Sequence, residues 1–540
     1  MTSPCDRRDA WLWGVVSGLL LVLLPVGLLS PDGVGQAARA ATGDWQLNPN
    51  HLLFEPANTF WVAVTGALLP DRLPADRLRL LSALCGALAA GLFRGGLAPR
   101  LTSSQGAGSR RAANYGTAWL ALSAVFSQLW VSAETYMIQM PALVAAAILL
   151  LALRQERWEG SPRRALALGA ALGLAALCFA SSALLAPFAV LALVWPRRER
   201  ESSGRRLAAF PIREIAALGA GFCAVLLPAL GGAWFCAVRS SGRGFLDWLL
   251  SYGGSGGLGR LHQAYGVTLS ARGLSASALR ALYGAACSLV DLSPAVAAWR
   301  DGHRLAVPIA TGLVALGALG ALAAAAWKRP DEETKRDLVA LGLFLVPATL
   351  LFGWLWNNSD LQFYAPLGIA WGALAAAGGL PSRKLATLGV LGLLGLAWNA
   401  TDLACRFVLY PRAERLALLE NTAKGACAVV YPGFDELEAL IGLTWPPPAW
   451  REISITHLAI TEPPERGLPK LRETVERCLR TGGRVVFLDL YGRPPFEPPW
   501  KFLRALGYEP EGVRRALAGL PFDGLARSVG PWTVRVARGP

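Results

Sequence analysis

Residues 163–198 read RRALALGAALGLAALCFASSALLAPFAVLALVWPRR, an unbroken apolar stretch from Ala165 to Trp195 held between Arg163-Arg164 and Arg197-Arg198. One crossing of a bilayer's hydrocarbon core takes about 20 residues, so the stretch is too long for an ordinary single span. Lys and Arg accumulate on the cytoplasmic side of membrane proteins. Basic pairs at both ends therefore predict a hairpin that enters the membrane, turns near Ser181-Ser182 and returns. The composition agrees. Of the 540 residues, 54% are hydrophobic and 16% charged, the net charge is +15, and the mean hydropathy is +0.39. An ordinary soluble protein is about 25% charged. A purely soluble enzyme, a disordered tail protein and a nucleic-acid binder are excluded, and the positive charge belongs to cytoplasmic loops between spans.

The same charge rule orders the rest of the chain. Arg7-Arg8 precede an apolar run from Trp11 to Leu29, a first span that places the N-terminus in the cytoplasm. The stretch 52–69 is interrupted by Glu55, Pro56, Asn58 and Thr59. Laid in the outer interface as an amphipathic helix, it returns the chain through Leu80–Leu92 and brings Arg94, Arg100, Arg110 and Arg111 to the cytoplasm. Tyr115–Trp130 then leads outward, Met137–Leu153 inward, the hairpin follows, and Ile212–Val238 leads outward again. Residues 239–304 form a long external segment. Further crossings at about 305–327, 338–356, 363–380 and 385–400 give about eleven spans, within a transmembrane domain over 1–404 whose first external loop covers 30–79. Trp11, Trp13, Trp195, Trp327, Trp354 and Trp356 lie near span ends, as interfacial anchors do.

Past residue 405 the composition becomes that of a soluble domain, 405–540, outside the cytoplasm. Short β-branched runs at Ala426–Tyr431, Ile453–Ile460, Arg484–Leu490 and Trp532–Ala537 predict buried strands. Leu468–Arg480 has helical spacing and ends at Gly482-Gly483, so a small α/β domain with a largely parallel sheet is expected. Cys427 and Cys478 could pair if this region is extracytoplasmic. The other signatures are bland. Residues 254–259 match GxGxxG but follow no strand pattern and read as a flexible loop. Asn399-Ala400-Thr401 and Asn357-Asn358-Ser359 match the glycosylation acceptor pattern by chance.

Acids at the edge of a membrane are functional suspects by default. Asp32 follows the first span in Pro31-Asp32-Gly33, where it also fits a turn that ends a helix. Glu134 lies in the turn Trp130-Val131-Ser132-Ala133-Glu134-Thr135-Tyr136, on the same face, where it also suits the start of the following helix. Asp360, in Asn357-Asn358-Ser359-Asp360, lies on that face too. Two such carboxylates could share the work of deprotonating an acceptor and holding a cation. Arg243, Arg260, His262 and Arg272 in the segment 239–304 could hold a phosphate by charge-assisted hydrogen bonds, or serve as solvated loop charges. Trp248, Tyr252 and Tyr265 could stack on a sugar or pack on lipid.

A span followed at once by Asp32, a first loop with Gly43-Asp44-Trp45 and Asn48-Pro49-Asn50-His51-Leu52-Leu53, and the turn Trp130-x-x-Ala133-Glu134-x-Tyr136 together resemble the GT-C membrane glycosyltransferases. The nearest patterns are those of bacterial relatives of protein O-mannosyltransferases and aminoarabinose transferases. The resemblance covers roughly residues 10–400 and implies transfer of a sugar from a polyprenyl-phosphate donor to a protein, lipid or glycan acceptor outside the cytoplasm, with inversion at the sugar carbon. It implies Asp32 as general base, Glu134 as the acid or metal-side residue, Asp44 as a further first-loop acid, and His51 near the donor phosphate. A divalent cation, Mg or Mn, is the one cofactor it suggests. The chain also departs from that pattern. Gly33 stands where O-mannosyltransferases carry a second acid, His51 is followed by leucines rather than prolines, and the stretch from Asp32 to Gly43 is short. A non-catalytic membrane scaffold whose C-terminal domain binds a partner, or a lipid-linked sugar transporter, would keep the fold without the chemistry.

Overall fold

A computed structural model describes residues 51–70, 72–102, 107–131, 135–155, 162–195, 212–239, 244–249, 271–292, 330–355, 361–379, 392–399, 412–433, 450–492, 497–530 and 532–539, with isolated positions among 8–41 and 313–390. The N-terminal part is a helical bundle: α1 Phe54–Leu68, α2 Pro74–Leu92, α3 Ala107–Leu122, α4 Ala124–Val131, α5 Gln139–Gln155, α6 Pro162–Cys178, α7 Leu185–Val194, α8 Ile212–Ala233, α9 Phe245–Leu249, α10 Ala271–Cys287, α11 Glu332–Leu355 and α12 Ala365–Gly378. Among the described residues four helices are long and apolar enough to cross a membrane: Pro74–Leu101, Tyr136–Gln155, Ile212–Cys236 and Glu332–Leu355. The expected spans at Trp11–Leu29 and 305–327 fall largely outside the described residues.

Pro74 opens α2, where a missing N–H costs nothing, and the helix continues through a π turn at Phe93–Leu97 to Leu101. The hairpin is present. α6 and α7 are its arms, and a 3-10 turn at Ala180–Leu184 separates them. The arms part company: α6 packs on α5 and α8, and α7 on α11. The crossing of α6 and α8 is set by glycine. A Cβ on Gly169 would collide with the Leu218 carbonyl, and one on Gly221 with the Leu166 carbonyl. Without a hydrophobic drive between helices in lipid, close backbone approach of this kind supplies the packing energy.

The expected span at Tyr115–Trp130 is broken at Ser123 into α3 and α4. A helix break at membrane depth is tolerated only where protein satisfies the freed backbone groups, and the residues just after α10 do so. The Ala124 N–H donates to the Leu289 carbonyl at 3.1 Å and the Val125 N–H to the Ser288 carbonyl at 3.1 Å. The Asn399 amide donates to the carbonyls of Leu122 and Leu289, each at 2.8 Å, from a side chain 3% exposed. Asn399 is therefore a structural bridge, in keeping with the chance reading of its acceptor pattern. The Gln128 amide donates to the Asp291 carboxylate at 2.8 Å.

One end of the bundle gathers the arginines. Arg94, fully buried, donates to Asn114 Oδ1 at 2.5 Å and pairs with Asp9 at 2.9 Å, and Asp9 also pairs with Arg110. Arg100 donates to Gln155 Oε1, and Gln155 in turn donates to Asp337. Arg154 pairs with Asp337 at 3.2 Å and donates to the Ala192 and Trp195 carbonyls. Residues that the charge rule puts on one side of the membrane thus meet at one end of the bundle.

The C-terminal elements are α13 Arg412–Ala423, β1 Ala426–Tyr431, β2 Arg451–Ser454, α14 Ile455–Thr461, α15 Pro464–Arg480, β3 Arg484–Leu488, α16 Glu497–Ala505, α17 Pro510–Ala516, β4 Arg527–Val529 and β5 Trp532–Arg538. The strand order is β2-β1-β3-β5-β4. The first three strands are parallel, while β5 runs antiparallel to both β3 and β4, so the sheet is mixed. The run Ile453–Ile460 is not one strand. Ser454 ends β2 and caps α14 by accepting the His457 N–H, and a capping hydroxyl overrides the β-branched pattern there. α15 ends as expected, with Gly482 at φ +73°. Cys427 and Cys478 are joined, their Cα atoms 6.0 Å apart.

One face of the sheet is covered by α14–α17. The other carries Val429, Tyr431, Val486, Leu488, Trp532 and Val534 and packs with α13 against Val62 of α1, Ala75 and Leu78 of α2, and Ala37 and Ala40. The first-loop helix is thus clamped between bundle and sheet. Its outer stripe, Phe60, Val64 and Leu68, stays exposed, as suits a helix lying in a membrane interface.

Candidate functional site

At the end of the bundle opposite the arginines, six aromatic rings from five parts of the chain converge. His51 precedes α1, and the Leu53 N–H is tied to the Leu177 carbonyl at 3.0 Å. The His51 ring lies flat on Phe54 (centroids 5.0 Å apart) and on Phe179 (5.3 Å), with Tyr136 edge-on at 5.5 Å. Phe179 continues to Phe363, stacked at 5.5 Å, and to Phe352, edge-on at 5.8 Å. Three of the rings are there because their elements break at this level, whereas Phe352 is carried by the continuous α11. Tyr136 sits in the 3-10 turn Thr135–Ile138 before α5, Phe179 in the hairpin turn, and Phe363 in the 3-10 turn Leu361–Tyr364 before α12.

Beside the rings lies a shallow cleft of about 290 Å3, open mouth included, lined by Gln139, Phe179, Ser181, Ser182, Thr349, Phe352, Gln362 and Phe363 among others. Ser182 donates to Gln139 Oε1 at 2.8 Å, and Thr349 returns its hydroxyl proton to the Leu345 carbonyl at 2.7 Å. Thr349 is 12 positions from Asp337 on α11, about 18 Å of helix rise. That rise separates the cleft from the arginine cluster along α11.

Of the candidate residues singled out by sequence, His51 stands in the cluster, Trp248 lies in α9 and Arg272 in the first turn of α10. Asp32, Asp44, Glu134, Arg243, Arg260, His262 and Asp360 lie outside the described residues. Their flanks in the sequence do not. Glu134 immediately precedes the turn that carries Tyr136, and Asp360 the turn that carries Gln362 and Phe363. Arg243 comes just before α9, whose Trp248 is buried among Leu52, Leu177 and Leu230 rather than presented for stacking. Among the described residues no three His, Cys, Asp or Glu side chains gather, so the described side chains alone do not fit a divalent cation.

Gln139, Ser182, Thr349 and Gln362 were missed by sequence reasoning. Their signal was present: uncharged polar side chains, each under 9% exposed, in apolar helices where a polar group is expensive.

The architecture is a helical bundle with broken helices meeting at one end and a small sheet domain seated there, and this fold is shared with a solved structure. Across its length the chain matches the crystal structure of ArnT from Cupriavidus metallidurans bound to undecaprenyl phosphate, with a TM-score of 0.53 and 14% identity over 97% of each chain. The apo state of ArnT gives a TM-score of 0.40 at 12% identity over 98% of each chain. The archaeal oligosaccharyltransferase AglB from Archaeoglobus fulgidus, in complex with an inhibitory peptide and a dolichol-phosphate, gives 0.47 at 14% identity, over 98% of this chain and 74% of AglB. Neither of these lower scores carries weight. No family model and no curated protein sequence matches the chain. The likeness is one of fold, and with the apolar helices it marks an integral membrane protein.

Proposed function

We propose that the chain is a glycosyltransferase of the cell (inner) membrane, moving a sugar from a polyprenyl-phosphate-linked donor to an extracytoplasmic acceptor. The observation that carries this reading is the convergence around His51 and Leu52 of the very elements that border Glu134, Asp360 and Arg243 in sequence, at the end of the bundle away from the arginines. A polyprenyl carrier keeps its tail in lipid and its phosphate at headgroup level, so a site between the first-loop helix and the broken helix ends suits it. ArnT, whose fold the chain shares, binds undecaprenyl phosphate.

In this reading a hydroxyl or amine of the acceptor attacks C1 of the sugar as the bond from C1 to the phosphate oxygen breaks. The proton passes to the Asp32 carboxylate, the polyprenyl phosphate leaves with the electron pair, and attack from the opposite face inverts C1. His51 and Arg243, with Arg260 and His262, offset the charge developing on the leaving phosphate. A Mg or Mn ion would add charge stabilisation near Glu134 or Asp360; no step depends on it. The N-terminus is cytoplasmic and the sheet domain extracytoplasmic. The Cys427–Cys478 bond supports that orientation, because disulfides persist in oxidising compartments.

The test compares wild type with Asp32→Asn in membranes supplied with radiolabelled polyprenyl-phosphate sugars. Donor hydrolysis or transfer that vanishes in the variant supports the reading. Turnover untouched by the change moves the base to Asp44 or Glu134, and no turnover of any donor by folded protein favours the scaffold.

A further inference from the structure

The side of the C-terminal sheet that faces the bundle carries a group of charges used neither by the core nor by the reaction. Arg484 on β3 and Arg538 on β5 stand directly opposite each other in the antiparallel register, on the same side as Val486 and Val536. Arg527 on β4 is paired with Val534 and lies on that side too. Like charges placed directly across a strand pair are destabilising. Burial pulls the Arg484 guanidinium below its ordinary value, and Arg538 and Arg527 pull it further. Asp523 pairs with Arg538 and offsets part of the repulsion, yet the Arg538 side chain is still 65% exposed, and Arg527 is exposed beside it. Phe522 is bridged to Ala537 and Arg527 to Val534, so the edge chain between them is longer than the stretch of β5 it faces and bulges. Leu525 lies in that bulge and is 90% exposed. Charge and a bulge protect a sheet edge from unwanted pairing; a bare leucine at the same place does not.

The helix α1 gives this side of the sheet its direction. Val62 is buried against the sheet, while Phe60, Val64 and Leu68 on the opposite side of the same helix are exposed. With α1 lying in the membrane interface, the side of the sheet that holds Val62 faces the lipid across one helix diameter, about 10 Å. The headgroup layer takes up about 5–7 Å of that distance, and long arginine side chains extend from such a surface to the phosphates. We propose that this edge of the C-terminal domain, Arg484, Arg527 and Arg538 with Leu525, rests on the membrane surface and binds the headgroups of anionic phospholipids. The guanidinium groups take the phosphates by charge-assisted hydrogen bonds, and the leucine enters the interface beside them. The contact is independent of the reaction and gives the domain a second attachment besides Val62.

The experiment places the full chain in nanodiscs of phosphatidylcholine, with or without phosphatidylglycerol, and follows amide hydrogen exchange over residues 523–527. Exchange is expected to be slower in the anionic discs, and the difference to fade in high salt. Each arginine near an anionic surface is worth about a fivefold change in occupancy. Arg527→Gln/Arg538→Gln is therefore expected to lose about thirtyfold of any protection that large, or all of a smaller one. Leu525→Ser changes a side chain that packs on nothing, so it keeps the test open if the double variant folds poorly, and it is expected to weaken the protection in the same discs. Equal exchange in both lipids by folded wild type overturns the proposal, as does protection unchanged in folded Leu525→Ser and in the double variant. Protection produced in detergent by inorganic phosphate without lipid would assign the arginines to a soluble anion, and overturns it as well.

Discussion

Arg154 and Asp337, 183 positions apart in the chain, meet at 3.2 Å with side chains 1% and 7% exposed. Their pairing sews α5 to α11 at the arginine-rich end, and Arg154 also holds the carbonyls that close α7. Breaking a buried pair from one side leaves an uncompensated charge and costs about 3–5 kcal/mol. Asp337→Leu is therefore expected to lower the thermal stability of detergent-solubilised protein sharply, and Arg154→Met/Asp337→Leu to be less damaging. A double variant as unstable as the single would assign the loss to packing instead.

The crossing of α6 and α8 gives a sharper steric test. Gly169→Val should prevent folding, since its new side chain meets the Leu218 carbonyl, whereas Gly219→Ala on the same α8 should be neutral, with nothing within 4 Å of its added carbon. The monodisperse yield after solubilisation reads both. Equal yields would remove close backbone contact as the basis of this crossing.

His51 separates shape from chemistry. His51→Phe keeps a flat ring between Phe54 and Phe179, so stability should stay within about 1.5 kcal/mol of wild type. His51→Ala loses two stacked partners, each worth about 0.5–1.5 kcal/mol. Both variants should lose most donor turnover if the imidazole serves the phosphate. Full turnover in His51→Phe would confine the residue to packing.

The Cys427–Cys478 bond predicts an orientation. In intact cells a membrane-impermeant maleimide added outside should label these cysteines only after reduction and partial unfolding, since the bond is made and Cys478 is 7% exposed. Cys427→Ser/Cys478→Ser should cost about 2–4 kcal/mol of domain stability. Labelling that requires permeabilised cells would turn the sheet domain to the cytoplasm.

The seat of that domain on α1 can be tested at Val62, which is 4% exposed between helix and sheet. Burying a carboxylate there without a partner is costly. Val62→Glu is expected to make the C-terminal domain separable by limited proteolysis while the bundle stays intact. Proteolysis identical to wild type would mean that the apolar contact is not what holds the domain.

The meeting of Arg94, Arg100, Arg110 and Arg154 at one end of the bundle was legible because it depends on a coarse signal, charge at the ends of apolar runs. The hairpin at 163–198 could be read for the same reason, as could β1, β3, β5 and the capped helix α15, whose local patterns agree with their final environment. What escaped was non-local. Nothing within residues 115–130 announces that Ser123 is a break, because the partners that make it affordable are Leu289, Asp291 and Asn399. The antiparallel turn of β5 onto β3 and the helix after Ser454 were likewise settled by tertiary pairing and a cap. At the site, charge drew attention to Asp32, Glu134 and Asp360, while the neutral Gln139, Ser182 and Thr349 carried no such flag.

The broken helix α3–α4 also sets an order of events. Its exposed carbonyl at Leu122 waits for Asn399, 277 residues further along the chain, and Gln128 waits 163 residues for Asp291. During synthesis these early helices must reside in the membrane with their break unsealed while most of the bundle is still being made. The break between α3 and α4 is thus closed by a residue made 277 positions later, and a ribosome stalled short of Asn399 would hold an intermediate whose break is still unsealed.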